Sequence, residues 1–346
     1  MNNIIFTHEA GIELKRILAS IPSEDIFVLV DNNSRNYCLE YLQPGYILPK
    51  HILTIPDGEH NKSLDYVSEI WHALSKRTAR RNSVLINIGG GMITDLGGFA
   101  ASCFKRGIRC VNIPTTLLAQ VDASIGGKTG INFDGLKNEI GTFSIPEWVI
   151  IDNHFLKTLP LPHLLSGFAE MLKHALLADE DQLAEIMQAD LSRASEEEFL
   201  GLIRQSVAIK TAIVQSDPRE KGLRKALNFG HTVGHAIESI AIQKGLSLYH
   251  GDAVAYGMIA ELYLSVRHTG FDEKHFKAIQ KFISEKYPPY HPVAEAETLY
   301  ELMLHDKKNE HAGVNFTLLR RPGEFETDHY CGKEDILEAL QQIQCS

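Results

Sequence analysis

Two histidines one helical turn apart, His231 and His235, sit in "LNFGHTVGHAIES", each directly preceded by a glycine. This is the spacing that presents two imidazoles to a metal from one helix face. The glutamate that follows the first histidine in H-E-x-x-H is absent, and Thr232 stands there. Drawn as one helix over 224–240, Arg224, Asn228, His231, His235 and Glu238 share a face, while Ala226, Leu227, Phe229, Val233, Ile237 and Ile240 fill the others. A helix that is apolar on its other faces is buried, so the polar stripe must look onto a partner or a cavity. Gly230 and Gly234 lower helix stability and imply a very close neighbour. A lone histidine on such a face reads as a satisfied core residue; five polar groups in register favour a site.

Catalytic zinc takes three protein ligands and keeps a position open, and H-x-x-x-H supplies at most two. Further candidates are Glu170 with Lys173 in "GFAEMLKHAL" and His250 in "LYHGDAVAYGM". Lys210 and Asp217, seven apart, share another helix face. Several cations beside a metal suit an anionic, phosphate-bearing substrate.

The first half of the chain carries different chemistry. "VLINIGGGMITDLGGFAAS" runs from an apolar strand into Gly89, Gly90 and Gly91, then into a helix opening near Thr94 and Asp95. Such a turn brings backbone N–H groups to a pyrophosphate at a helix N-terminus. Asp31, ending an earlier strand, is placed to accept from a ribose hydroxyl; a Gly-rich turn and a surface acid explain these features equally well. "SIGGKTG" ends in G-K-T, but a phosphate-binding loop of that type needs glycine where Asp122 stands, which excludes it. What remains is Asp122, Lys128, Lys137 and Asn138 close together among glycines, in a stretch too apolar for a solvated charge run.

"IFVLVD", "HILTIP", "VLINIG", "IRCVNIP" and "WVIID" are short apolar runs that alternate with helical patterns. One such helix places Leu64, Val67, Ile70, Trp71 and Leu74 on one face. Strand–helix alternation predicts βαβ units and a mostly parallel sheet. Beyond Leu161 helical patterns take over and only "NFTLL" looks extended, so the boundary falls near "LKTLPLPH". The 346 residues suit two domains, 1–160 and 161–346. A hydrophobic content of 44% with 23% charged residues is that of a globular protein, and no run approaches the ~18–20 apolar residues that span a bilayer. The net charge of −10 argues against nucleic acid. The N-terminus lacks a signal-peptide pattern, and the scattered Cys38, Cys103, Cys110, Cys331 and Cys345 read as reduced thiols of a cytoplasmic protein.

Taken together, "PDGEHNKSL", "GGGMITDLGGFAA", "KRGI", "IPTTLLAQVDASIGGKTGIN", "KNEIGTF", "SGFAEMLKHAL", "DPREKGLRKALNFGHTVGHAIE", "HGDAVAYGM" and "DKKN" resemble, block by block and in order, the 3-dehydroquinate synthase family. The resemblance implies an N-terminal NAD-binding α/β domain and an all-α C-terminal domain for metal and substrate. It implies a carbon–oxygen lyase of the shikimate pathway, which leads to chorismate and the aromatic amino acids. Its substrate is the sugar phosphate 3-deoxy-D-arabino-heptulosonate 7-phosphate, converted to 3-dehydroquinate and phosphate. The steps are transient oxidation by NAD, phosphate elimination, re-reduction and aldol ring closure. A cytoplasmic homodimer is the implied form.

Residue by residue, the resemblance implies that Glu170, His231 and His250 hold a divalent metal, zinc or cobalt. NAD would meet Asp31, then Asp57, Gly58, Glu59, His60, Asn61 and Lys62. It would also meet Gly91, Met92, Ile93, Thr94 and Asp95, then Thr115, Thr116, Lys128 and Lys137, and finally Phe155, Leu156, Lys157 and Thr158. The substrate would meet Arg106, Asp122, Lys128, Asn138, Lys173, Lys210, Arg224, Asn228 and His235, with either Lys307 or Lys308. Two positions depart from the family: Thr94 replaces the last glycine of its G-G-G-x-x-G-D turn, where a hydroxyl can cap the helix, and Asp252 replaces its usual glutamate. The rivals are a metal-dependent alcohol or glycerol dehydrogenase, a cyclase for another sugar phosphate, and a non-catalytic NAD-binding protein. The first lacks the Lys128, Lys173, Lys210 and Arg224 set, the second varies at Asn228 and His235, and the third would show gaps in the catalytic positions.

Overall fold

All five apolar runs of the first half become strands of one sheet, joined by a sixth. The computed structural model describes residues 3–43, 45–134, 136–191, 193–304 and 313–344; Lys307, Lys308 and Cys345 lie outside them. The chain divides into two compact units, Met1–Pro160 with Ala194–Val207, and Leu161–Arg193 with Ala208–Ser346.

In the first unit the strands β1 (Ile4–Thr7), β2 (Ile26–Asp31), β3 (Ile52–Ile55), β4 (Val84–Gly89) and β5 (Arg109–Pro114) are followed by the hairpin strands β6 (Lys128–Phe133) and β7 (Leu136–Phe143), then by β8 (Trp148–Asp152). The sheet order is β1-β8-β5-β4-β2-β3, and every pair is parallel. Both β2 and β4 are buried along their full length, which is why they read as unbroken apolar runs. Ile26, Val28, Val30, Ile86 and Ile88 pack with Ala10, Leu14 and Leu18 of α1 (Ala10–Leu18). Phe27, Leu29 and Leu85 pack on the opposite face with Val67, Ile70 and Leu74 of α3 (Leu64–Lys76), and with Leu96 and Phe99 of α4 (Gly91–Cys103). After β2 the chain leaves through α2 (Asn32–Tyr37) toward β3, and after β4 through α4 toward β5. The strand order therefore reverses between β2 and β4, and the ends of those two strands, Asp31 and Gly89, flank the crevice where such sheets bind ligands.

Helix α4 opens at Gly91, earlier than the sequence suggested. Its N-cap is Gly90, and Thr94, inside the helix, back-bonds through Oγ1 to the Gly91 carbonyl (3.1 Å), so the expected hydroxyl cap does not form. Within α4, a Cβ added at Gly97 would lie 1.9 Å from Asn87 Oδ1 and 2.5 Å from its Cγ. The fully buried Asn87 donates to Asn112 Oδ1 (2.9 Å), so it cannot swing aside without orphaning a buried group. Gly97→Ala is expected to destabilise the protein by about 2–4 kcal/mol in urea unfolding, overpacking and a lost buried bond outweighing alanine's better helix propensity. An unchanged midpoint would mean that Asn87 yields freely.

The second unit contains α5 (Leu161–Ala178), α6 (Glu180–Gln188) and the end of α7 (Glu196–Ser216), then α8 (His231–Gln243), α9 (His250–His268), α10 (Glu273–Lys286), α11 (Ala296–Leu304) and α12 (Lys333–Gln344). One antiparallel hairpin, β9 (Val314–Arg321) with β10 (Glu324–Cys331), interrupts the helices; "NFTLL" lies in its first strand. The single helix drawn over 224–240 is broken. Leu223–Asn228 forms a 3-10 turn, Gly230 takes φ +77°, and α8 begins at His231. The glycines mark the close neighbour they implied, the backbone of α9. A Cβ on Gly234 would lie 2.9 Å from the Ala253 carbonyl oxygen, and one on Gly257 would lie 2.0 Å from that of Gly230. Asp217 lies past the end of α7 and not on its face. Its carboxylate takes the amides of Lys221 (3.0 Å), Gly222 (2.7 Å) and Arg224 (3.2 Å), which hold it below the usual carboxylate range. Among the described residues no helix is long and apolar enough to cross a membrane. Cys38, Cys103, Cys110 and Cys331 are free thiols, the first, third and fourth buried.

Candidate functional site

In the second unit, Glu170 of α5, His231 at the start of α8 and His250 at the start of α9 converge. Glu170 Oε1 lies 3.3 Å from His231 Nε2 and 3.5 Å from His250 Nε2. Yet neither carboxylate oxygen makes a hydrogen bond of good geometry. Ligands ~2.0–2.1 Å from a tetrahedral metal stand about 3.3–3.4 Å apart, so these separations are those of donors around one cation. The other ring nitrogens are already committed. His231 Nδ1 faces the Phe229 carbonyl (3.1 Å), and His250 Nδ1 faces Glu238 Oε2 (3.3 Å), which leaves Nε2 of each ring for the metal. A divalent cation fits this donor set.

Electrostatics agree. Burial alone would raise the Glu170 carboxyl, but Lys173 and the His231 imidazole outweigh it and hold it well below the usual range. Burial, with Lys173 nearby, lowers His231. Burial would lower His250 too, but Glu170 and Glu238 override it and push that imidazole up to about 10. A metal taking its Nε2 must displace that proton.

Two supports had no assigned role at the level of sequence. Glu238 belonged to the polar stripe and proves to orient His250. Glu261, buried on α9, accepts from the amides of Gly230 (2.6 Å), Thr232 (3.1 Å) and Val233 (3.3 Å). A carboxylate from the neighbouring helix thus caps α8 where glycine has no side chain to do so, and fixes the turn that carries His231. Its signal was the spacing from His250: eleven residues are three helical turns, so both share a face of α9.

Of the remaining candidates of this unit, Lys173 and His235 lie against that centre. Lys173 is 1% exposed, donates to the Leu227 carbonyl (3.0 Å) and pairs with Glu170 Oε2. His235 is half-buried, its ring 5.1 Å from that of His231 and 6.1 Å from that of His250. With Glu238 and His250 it forms a second grouping of ligand atoms, but the Glu238–His250 contact already uses Nδ1. Lys210 and Arg224 are buried, and Arg224 donates to the Pro218 carbonyl (2.9 Å). Asn228 donates to Glu220 Oε1 (3.1 Å).

In the first unit, α4 opens at the carboxyl end of β4 with no side chain capping its amides, an anion site by construction. Gly90 and Gly91 admit no Cβ without pressing on Thr116 Cγ2 (3.1 Å) and Ala123 Cβ (3.2 Å). Asp31 ends the adjacent β2, but its Oδ1 also caps α2 through Ser34 N (2.7 Å) and Oγ (2.9 Å). Thr115 N donates to the Gly89 carbonyl (2.9 Å), tying the end of β5 to this turn. Lys62 is buried and reaches both Asp95 Oδ2 and Asn138 Oδ1 at 2.5 Å. Burial raises the Asp95 carboxyl against that pull. Asp122 sits in a π-helical turn, Ala119–Ala123. Lys128 opens β6. Arg106 is exposed on a turn where Lys105, Arg106 and Gly107 all have positive φ. Phe155 and Leu156 are core residues, whereas Lys157 pairs with Glu196 (2.6 Å).

Models of the 3-dehydroquinate synthase N-terminal and C-terminal regions match residues 52–166 and 167–309. The 3-dehydroquinate synthase of Parabacteroides distasonis is 46% identical over 339 residues, covering 97% of this chain and 96% of that one. The solved structure of 2-epi-5-epi-valiolone synthase from Streptomyces hygroscopicus subsp. jinggangensis, with NAD+ and Zn2+ bound, matches with a TM-score of 0.82 at 25% identity, over 99% of this chain and 96% of the other. A 2-deoxy-scyllo-inosose synthase complexed with carbaglucose-6-phosphate, NAD+ and Co2+ shares the fold, with a TM-score of 0.84 at 24% identity over 98% and 96%.

Proposed function

The chain belongs to the 3-dehydroquinate synthase family, and on that footing we propose how its residues share the family's reaction. The enzyme converts 3-deoxy-D-arabino-heptulosonate 7-phosphate to 3-dehydroquinate and phosphate. In our reading Glu170, His231 and His250 hold one zinc ion, with cobalt the alternative for the same donors. The glycine turn before α4, Asp31 and residues 57–62 hold NAD+, which makes the unit built on 1–160 the cofactor domain and the remainder of 161–346, apart from the 194–207 stretch that joins the first unit, the metal and substrate domain. When bound, the cation acidifies a chelated hydroxyl and NAD+ takes up and returns one hydride.

The chain's own groups do the rest. Glu238 and the Phe229 carbonyl keep the two imidazoles turned with Nε2 inward. His235, outside the metal set, holds or passes a proton at the phosphate-bearing end of the substrate. Lys210 and Arg224 are assigned to its anionic groups. The observation that carries this reading is the spacing of Glu170 from both imidazoles, which suits a shared cation and leaves a coordination position for substrate.

Because the hydride leaves and returns within one turnover, NAD+ at far below one equivalent should support complete conversion. Purified enzyme with substrate and a trace of NAD+ is expected to release phosphate and dehydroquinate to completion. NADH accumulating in step with substrate consumed, without phosphate release, would replace this reading with a simple dehydrogenase.

A further inference from the structure

Strands β6 and β7 pair at Ile131–Ile140 and next at Phe133–Leu136. Asn132 alone therefore stands opposite Lys137, Asn138 and Glu139, an irregularity of the kind that re-aims side chains near active sites. Asn138 adopts φ +51°, a conformation that persists when its surroundings fix it. Asn132 supplies much of that fixing. Its Oδ1 accepts from Asn138 N (3.0 Å), and its Nδ2 donates to Glu59 O (3.2 Å) and Glu59 Oε1 (3.1 Å). Its backbone N–H donates to the Lys62 carbonyl (2.8 Å), and Lys62 Nζ closes the ring on Asn138 Oδ1. One amide thus ties the 59–62 turn to the bulge, and Lys62 extends the tie to Asp95 of α4. Glu59 and Lys62 cannot shift without moving the partners of Asn138.

We propose that Asn132 is a positioning residue that joins the cofactor turn (Glu59, Lys62) and the substrate asparagine Asn138 into one body, so that cofactor binding prepares the substrate site. The inference rests on the assignment of those residues to NAD and substrate made above. Coupling of this kind is reciprocal and reaches at least about 5-fold in affinity when a specific contact carries it.

The test uses metal-loaded enzyme and NADH, which cannot accept the hydride, so substrate binds without turnover. Titration calorimetry gives the affinity for 3-deoxy-D-arabino-heptulosonate 7-phosphate with and without saturating NADH. In the unmutated enzyme NADH should tighten substrate binding by about 5-fold or more. In Asn132→Ala that factor should fall to near unity while NADH affinity stays within about 3-fold. Asn132→Asp keeps the acceptor for Asn138 N but cannot donate to Glu59. It should lose the coupling while keeping the substrate affinity measured without NADH, and it decides the matter if the alanine variant does not fold. The proposal is overturned if Asn132→Ala keeps the full coupling, if the unmutated enzyme shows none, or if both affinities fall together with the melting temperature. An unmutated enzyme that binds neither NADH nor substrate would instead overturn the functional assignment beneath it.

Discussion

Purified His231→Ala protein is expected to be folded, free of metal and inactive, whereas His235→Ala keeps about one metal ion per chain and is slowed by ~100-fold or more. The two histidines are one turn apart, and His231 has its Nε2 at 3.3 Å from Glu170 Oε1 and its Nδ1 committed to a backbone carbonyl. Glu170, His231 and His250 already make three ligands, and a fourth would close the position that substrate hydroxyls need. The break at Gly230 sharpens the distinction. His231 sits at the first position of α8, pinned by the Glu261 cap, while His235 lies a full turn inside the helix. Elemental analysis of the two variants, beside circular dichroism to confirm folding, decides the assignment. A folded His235→Ala protein without metal would mean that the pair is a chelate after all.

What the sequence made legible follows from periodicity and chemistry. Strands β2 and β4 could be read because burial on both faces leaves nothing but Ile, Val, Leu and Phe to choose from, save the paired Asn87 and the terminal Asp31 and Gly89. Gly230 and Gly234 announced a close neighbour because glycine inside a helix has little other use. The resemblance supplied Glu170 and His250 as partners of His231, which spacing alone left open. Less legible were the short β1, too brief for a periodic signal, and β6, β7 and β10, where exposed positions mix polar and apolar residues. The projection over 224–240 continued a helix through Gly230 because a left-handed φ at one residue leaves the apolar pattern on either side almost intact. Glu261 escaped notice for another reason. A buried carboxylate that caps a different helix has its justification in tertiary contact, and only its spacing from His250 hints at the face it occupies.

Lys173→Met should destabilise the metal-free protein by about 3 kcal/mol, and the loss should shrink to ~1 kcal/mol when metal is added. Glu170 is fully buried, and Lys173, itself 1% exposed, is paired with it. Removing one partner of a buried ion pair costs about 3–5 kcal/mol because the other charge is left uncompensated. The lower end applies here, since His250, made basic by its two carboxylates, remains as a counter-charge. A bound dication neutralises the same carboxylate, so lysine and metal are alternative counter-charges for Glu170, and the need for the first falls when the second is present. The methionine side chain roughly conserves volume, so packing alone predicts a small change that is equal in both states. In thermal melts the variant should unfold roughly 4 °C lower without metal and gain more from metal than the unmutated enzyme does. An equal drop in both states would make Lys173 a packing residue. No drop without metal would mean that the imidazoles alone neutralise Glu170.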